Sequence, residues 1–173
     1  MKVLNCHSHS AEATRRLAEN FAAMLKPGDC VALQGDLGAG KTTFAKGVVS
    51  RLTAIAPEEI GSPTFTLIEE YRAGATPIYH VDLYRMTSPA EAENLPWDEV
   101  FAPEAISLIE WAERLPRLLP YCRYHLIFIE AETEDHRIIQ ITDTKDPGAP
   151  PQGQIPEALE KTKPNANTPR GNS

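Results

Sequence analysis

Gly35, Asp36, Leu37, Gly38, Ala39, Gly40, Lys41 and Thr42 satisfy the pattern GxxxxGK followed by Ser or Thr, and that pattern constrains its own surroundings. It works only between a strand that delivers it and a helix that it opens. Both flanks agree. Cys30–Gln34 is an apolar run of strand length, and Thr42–Leu52 has the composition of a helix. Glycines at 35, 38 and 40 let the backbone N–H groups close into a nest around phosphate oxygens, and the following helix adds the positive end of its dipole. Lys41 supplies a mobile charge for the β- and γ-phosphates, and the Thr42 hydroxyl is placed to coordinate Mg²⁺. The nucleotide is therefore expected on Asp36, Leu37, Gly38, Ala39, Gly40, Lys41, Thr42 and Thr43.

The remaining sequence alternates between periods of two and about 3.6, as expected of strands interleaved with helices. A strand is predicted at Lys2–Cys6, then a helix capped by Ser10 and running to about Leu25, where Lys26-Pro27-Gly28 stops it. Phe65–Tyr71 and Ile78–Tyr84 read as a hairpin about Arg72–Thr76, and Ser88-Pro89 starts a short helix that ends before Pro96. Ala105–Ile109 is a second buried strand, and Tyr124–Glu130 with Arg137–Thr142 closes the domain as a hairpin. The fold class is α/β: a phosphate-loop NTPase whose mixed central β-sheet is flanked by helices. Residues 1–142 form that domain. Residues 143–173 contain six of the 15 prolines and only Ile155 and Leu159 as large aliphatics, so they are expected to form a disordered tail.

A bound triphosphate needs a carboxylate near its magnesium, normally at the end of a buried strand. Glu110 ends Ala105–Ile109 and could hold the metal through water or polarise the attacking water. Asp82 ends the other β-rich run and is the second candidate. Each has a purely structural alternative, Glu110 pairing with Arg114 and Asp82 anchoring Arg85. The catalytic set is thus Lys41, Asp82 and Glu110, with Thr42 and Glu110 at the metal. No [NT]KxD motif selects guanine, so adenine is the expected base. A small-molecule kinase is the alternative reading, and the segment after Asp82, short, acidic and without an arginine-bearing lid, argues against it.

The formal charge of −7 resides entirely in residues 1–142, with 13 basic and 20 acidic side chains. Such a surface repels nucleic acid backbones, so direct tRNA binding is expected to be weak. Arg15 and Arg16 in the first helix and Arg114, Arg117 and Arg123 after Trp111 are the basic groupings. No apolar run reaches a membrane span and the start lacks a secretory signal, so a cytoplasmic protein that does not contact membranes is expected. Cys6, Cys30 and Cys122 are expected as buried free thiols. The spacing of His7 and His9 suits a metal, but no carboxylate or cysteine cluster lies near in sequence.

Four segments together carry a family resemblance: Leu33–Phe44, Ser62–Leu67 followed by Glu70-Tyr71, His80–Arg85 and Leu108–Trp111. In this order they resemble the motifs of the TsaE family, the bacterial ATPases of threonylcarbamoyladenosine modification in tRNA. The resemblance implies a P-loop fold, ATP and Mg²⁺ as cofactors, and action with the TsaD and TsaB proteins. It also implies roles for Lys41 and Thr42, for Asp82, and for Glu110 as the magnesium-side acid with Trp111 beside it. Ser62–Thr66 would match the mobile switch segment, which adds Thr64 to the nucleotide-binding set.

Overall fold

Four parallel strands form the centre of the sheet, and antiparallel strands extend it on both sides. In a computed structural model, residues 2–131 and 136–144 are described. The strands are β1 (Lys2–Ser8), β2 (Cys30–Gly35), β3 (Ile68–Ala73), β4 (Thr76–Asp82), β5 (Ile106–Glu110), β6 (Tyr124–Glu130) and β7 (Arg137–Asp143). Their order is β1-β7-β6-β2-β5-β4-β3. β6, β2, β5 and β4 run parallel, while β1, β7 and β3 pair antiparallel. Parallel strands are buried on both faces, and Val31 and Leu33 accordingly face one core while Cys30 and Ala32 face the other.

Helices α1 (Ala11–Ala22) and α2 (Lys41–Thr53) cover the first face. Phe21, Phe44 and Val48 pack there against Ile78, Leu108 and Leu126. The Ser10 hydroxyl caps α1 by accepting from the Ala13 N–H at 3.0 Å. The second face is covered by short pieces: a 3₁₀ turn at Pro89–Asn94, the single-turn α3 (Trp97–Val100), and 3₁₀ turns at Ala112–Arg114 and Pro116–Tyr121. Trp97, Leu115 and Leu118 seal it against Val81 and Ile109.

The expected elements are all present, Tyr124–Glu130 with the expected bounds and most others with shifted ends, and the short helix after Ser88 forms as the 3₁₀ turn Pro89–Asn94. α1 stops at Ala22, three residues early, where the chain tightens into a turn with the Met24 N–H on the Phe21 carbonyl. β1 continues through His7 to Ser8, whose hydroxyl lies 2.8 Å from that of Thr14 beneath α1. β3 begins at Ile68 instead of Phe65, because Leu67 takes a left-handed backbone, φ 66°. Asp143 belongs to β7 and ties to Arg123 at 3.2 Å. Thr144 follows it, its N–H donating to the Arg123 carbonyl at 2.8 Å, and the expected tail from residue 145 onward lies outside the described residues. Cys30 and Cys122 are buried, with sulfurs 3.1 Å apart, but Cys6 is only half-buried. Among the described residues no helix is long and apolar enough to cross a membrane.

Candidate functional site

The parallel strands β2, β5 and β4 all end on one edge of the sheet, the edge where open α/β sheets bind ligands. β2 ends at Gly35, which sits opposite Phe128 of β6. A Cβ at Gly35 would lie 2.6 Å from the Phe128 carbonyl oxygen, and its φ is 135°, so only glycine lets the chain leave the sheet here. The loop then turns with the Ala39 N–H on the Asp36 carbonyl at 3.2 Å, and Gly40, φ 103°, starts α2 in a left-handed conformation with no side-chain cap.

That start leaves donors unspent. The first intrahelical bond of α2 runs from the Phe44 N–H to the Gly40 carbonyl, so the N–H groups of Lys41, Thr42 and Thr43 have no carbonyl one turn back to bind. They open into a cleft lined by Leu37, Gly38, Gly40, Lys41, Thr42, Thr43, Glu110 and Trp111. Lys41 is only 4% exposed. Its Nζ donates to the Gly35 carbonyl at 2.6 Å and the Asp36 carbonyl at 2.8 Å, and lies 3.8 Å over the Trp111 ring. Burial pushes its pKa below the ordinary lysine value, although Glu110, Glu113, Asp82 and Asp36 pull it upward.

β5 lies between β2 and β4, with Leu33 and Asp82 as the register partners of Glu110 on its two sides. Glu110 is buried. One of its oxygens, Oε2, accepts from the Thr42 hydroxyl at 2.7 Å, and the other, Oε1, lies 2.7 Å from His80 Nε2. Asp82 Oδ2 accepts from the Thr64 hydroxyl at 2.9 Å, and Oδ1 accepts from the Tyr84 N–H at 2.8 Å. Neither acid makes the arginine pairing that the structural alternatives expected. Arg114 donates to the Met86 carbonyl and not to Glu110, and Arg85 stacks on Phe65 at 4.0 Å instead of meeting Asp82.

Thr64 brings the Ser62–Thr66 segment into the site. Leu67 anchors that segment, its N–H on the Pro63 carbonyl at 2.7 Å and its carbonyl accepting the Asp82 N–H at 3.0 Å. Trp111 directly follows Glu110 with φ 58°, a rare conformation for a bulky residue. Its ring packs 5.0 Å from Tyr84, and Arg114 lies 5.4 Å from both rings.

Every expected site residue thus lies along this edge. His80 and Glu113, which donates nothing and accepts from the Gly35 N–H at 3.3 Å, were not singled out by sequence. For His80 the signal existed, because a polar side chain within an apolar strand is costly unless it is used. His7 and His9 lie apart from this site, both against His136: the His7 and His136 ring nitrogens are 3.0 Å apart and the His9 and His136 rings stack at 4.3 Å. Among the described residues no group of three or more His, Cys, Asp or Glu side chains is arranged to hold a metal.

The donor set suits a nucleotide triphosphate with magnesium. Unspent N–H groups and a lysine match phosphate oxygens, and a hydroxyl bonded to a carboxylate offers two hard oxygen donors side by side. Residues 8–139 match the family described as threonylcarbamoyl adenosine biosynthesis protein TsaE. The chain is 43% identical over 144 residues to the tRNA threonylcarbamoyladenosine biosynthesis protein TsaE of Bacillus subtilis, covering 82% of this chain and 87% of that one. It is 37% identical over 145 residues to the protein of that name from Rickettsia bellii, covering 83% and 99%. The crystal structure of Bacillus subtilis YdiB superposes with a TM-score of 0.67 at 39% identity, covering 82% of this chain and 86% of that one.

Proposed function

The chain belongs to the TsaE family, and from that premise we propose that it binds ATP with Mg²⁺, hydrolyses it slowly alone, and serves threonylcarbamoyl modification of adenosine in tRNA by ATP-dependent engagement of TsaD and TsaB. The observation that carries this reading is the 2.7 Å bond from the Thr42 hydroxyl to Glu110. It joins the phosphate loop to a strand-end acid at one point, which is where phosphoryl transfer needs a metal held.

In this reading the N–H groups of Lys41, Thr42 and Thr43 hold phosphate oxygens, and Lys41 exchanges the Gly35 and Asp36 carbonyls for the β- and γ-phosphates. Thr42 and Glu110 hold magnesium, which when bound neutralises charge on the transferring group. Asp82 provides a second carboxylate one strand away, and its bond to Thr64 couples the Ser62–Thr66 segment to whatever fills the cleft. Positioning and electrostatics do the catalytic work. Slow turnover of the chain alone is supported by the placing of Arg85 and Arg114, which are engaged with Phe65 and with Met86, Tyr84 and Trp111 and are not set over the cleft as an arginine finger.

The test is ATP turnover by the chain alone and with TsaD and TsaB added. Stimulation by the partners, loss of turnover in Lys41→Ala, and a large loss in Glu110→Ala with nucleotide binding partly kept are the expected results. A fast rate indifferent to the partners would refute the engagement role, and wild-type turnover by Glu110→Ala would transfer the acid's role to Asp82.

A further inference from the structure

We propose that His80 is a positioning residue that fixes the orientation of the Glu110 carboxylate, donating from Nε2 to Oε1 so that Oε2 stays turned toward Thr42. The inference rests on the reading of Glu110 as the magnesium-side acid. It adds a residue with no expected role and a specific atom through which that residue acts.

Three observations support it. His80 is fully buried in the middle of β4, on the same face as Ile78 and Asp82 by the two-residue period of a strand. Its Nε2 reaches diagonally across to Glu110 Oε1, 2.7 Å away, the kind of neighbour that long side chains span between paired strands. Its other nitrogen, Nδ1, is buried with no hydrogen-bond partner among the described residues.

These fix the donor. A carboxylate oxygen accepts, so the ring nitrogen facing it, Nε2, carries a proton. With Nδ1 unmet, Glu110 is the one polar partner His80 has among the described residues.

The mechanical consequence concerns rotation. A carboxylate at the end of a glutamate turns easily about its last bond. Here each oxygen has a donor from a different element, His80 on β4 and Thr42 on α2, and two such points stop the rotation. Without the His80 donor, Oε1 is left buried and unpaired, and the group is free to turn away from Thr42. Partners of metal-side ligands typically matter 10–100-fold in metal affinity.

The experiment compares His80→Gln, His80→Asn and His80→Leu in the full chain, by titrating Mg²⁺ against ADP affinity in calorimetry. The amide nitrogen of Gln reaches about where Nε2 stands, and that of Asn falls where Nδ1 stands. His80→Gln should keep a Mg²⁺ half-saturation near wild type, while the Asn and Leu variants should need roughly 10-fold more Mg²⁺ or above. All three should bind ADP in EDTA as wild type does, which also certifies that the loop is folded. A wild-type Mg²⁺ response in the Leu variant, or a Gln variant as impaired as Asn, overturns the proposal. Should the variants fail to fold, the wild-type protein decides. Nitrogen-15 NMR of the nucleotide-free chain should show His80 carrying a proton on Nε2, and an Nε2 without one overturns the assignment. Glu110→Gln separates the two levels of argument. If it leaves the Mg²⁺ response intact, the reading of Glu110 falls and the His80 role with it. If it abolishes the response while His80→Leu does not, only the His80 role falls.

Discussion

Replacing Gly47 by alanine sets two effects of opposite sign against each other. Gly47 lies in the middle of α2, and by helix propensity alone alanine would stabilise the protein by about 1 kcal/mol. The packing says otherwise. A Cβ at position 47 would lie 2.8 Å from Ala18 Cβ, 3.1 Å from the Arg15 carbonyl oxygen and 3.3 Å from Arg15 Cα, all on α1. Carbon atoms rest at about 3.5–4.0 Å, and two of these three neighbours are backbone, so α1 and α2 must move apart. Overpacking of this kind costs about 1–3 kcal/mol. Taking about 2 for the clash and 1 for the propensity, Gly47→Ala should be destabilised by about 1 kcal/mol, a fall of roughly 2–4 °C in Tm. Urea unfolding of the nucleotide-free chain, with an unchanged m-value, measures it. The double variant Ala18→Gly with Gly47→Ala exchanges which helix carries the methyl group, leaves summed propensity nearly constant and removes the shortest contact. It should recover part of the loss, with a coupling of about 0.5 kcal/mol or more between the two sites. A rise in Tm for Gly47→Ala would refute the reasoning, because it would mean the helices have room that their close approach denies.

Two further outcomes follow from the same geometry. A thiol reagent at neutral pH should modify one cysteine per folded chain, Cys6, and reach the buried Cys30 and Cys122 only on unfolding; burial raises the Cys6 thiol, so its rate should still be climbing above pH 9, and three thiols reacting at one rate would contradict the packing. Labelled tRNA titrated at near-physiological salt should bind the isolated chain weakly, since Arg123 is spent on Asp29 and Asp143 at the sheet edge opposite Arg114 and the basic grouping in sequence is no patch in space; submicromolar affinity lost on neutralising Arg114, Arg117 and Arg123 together would reverse that conclusion.

The phosphate loop was legible in the sequence because a local pattern dictates it: glycine spacing, an apolar strand before and a helix after. The two acids were legible for a related reason, since a carboxylate ending a buried run has few cheap explanations. Their adjacency was not. Asp82 and Glu110 meet only because β4 pairs with β5 in parallel, and pairing between strands so far apart in sequence leaves no local trace. The same holds for the approach of Thr64 to Asp82. Phe65 misled the reading of β3: an aromatic in a β-prone run looks like a strand start, yet it is 77% exposed and covered by Arg85, because the turn at Leu67 has already detached the segment from the sheet. Asp143 misled it in the opposite sense, since a charged residue at the head of a proline-rich stretch looks dispensable until the nearly buried Arg123 is found holding it.

The chain has two tryptophans, and their surroundings make the protein its own optical instrument. Trp97 is buried, its indole N–H fixed on the Ala92 carbonyl at 2.6 Å, so its emission forms a constant background until the fold itself opens. Trp111 lies under the Lys41 ammonium and beside Tyr84 and Arg114. An anion that draws the lysine off the ring changes the electric field on that one fluorophore and leaves the other untouched. Occupancy of the loop and integrity of the fold are thereby written on separate emitters, so ligand exchange can be followed in real time without a label, in the unmodified chain.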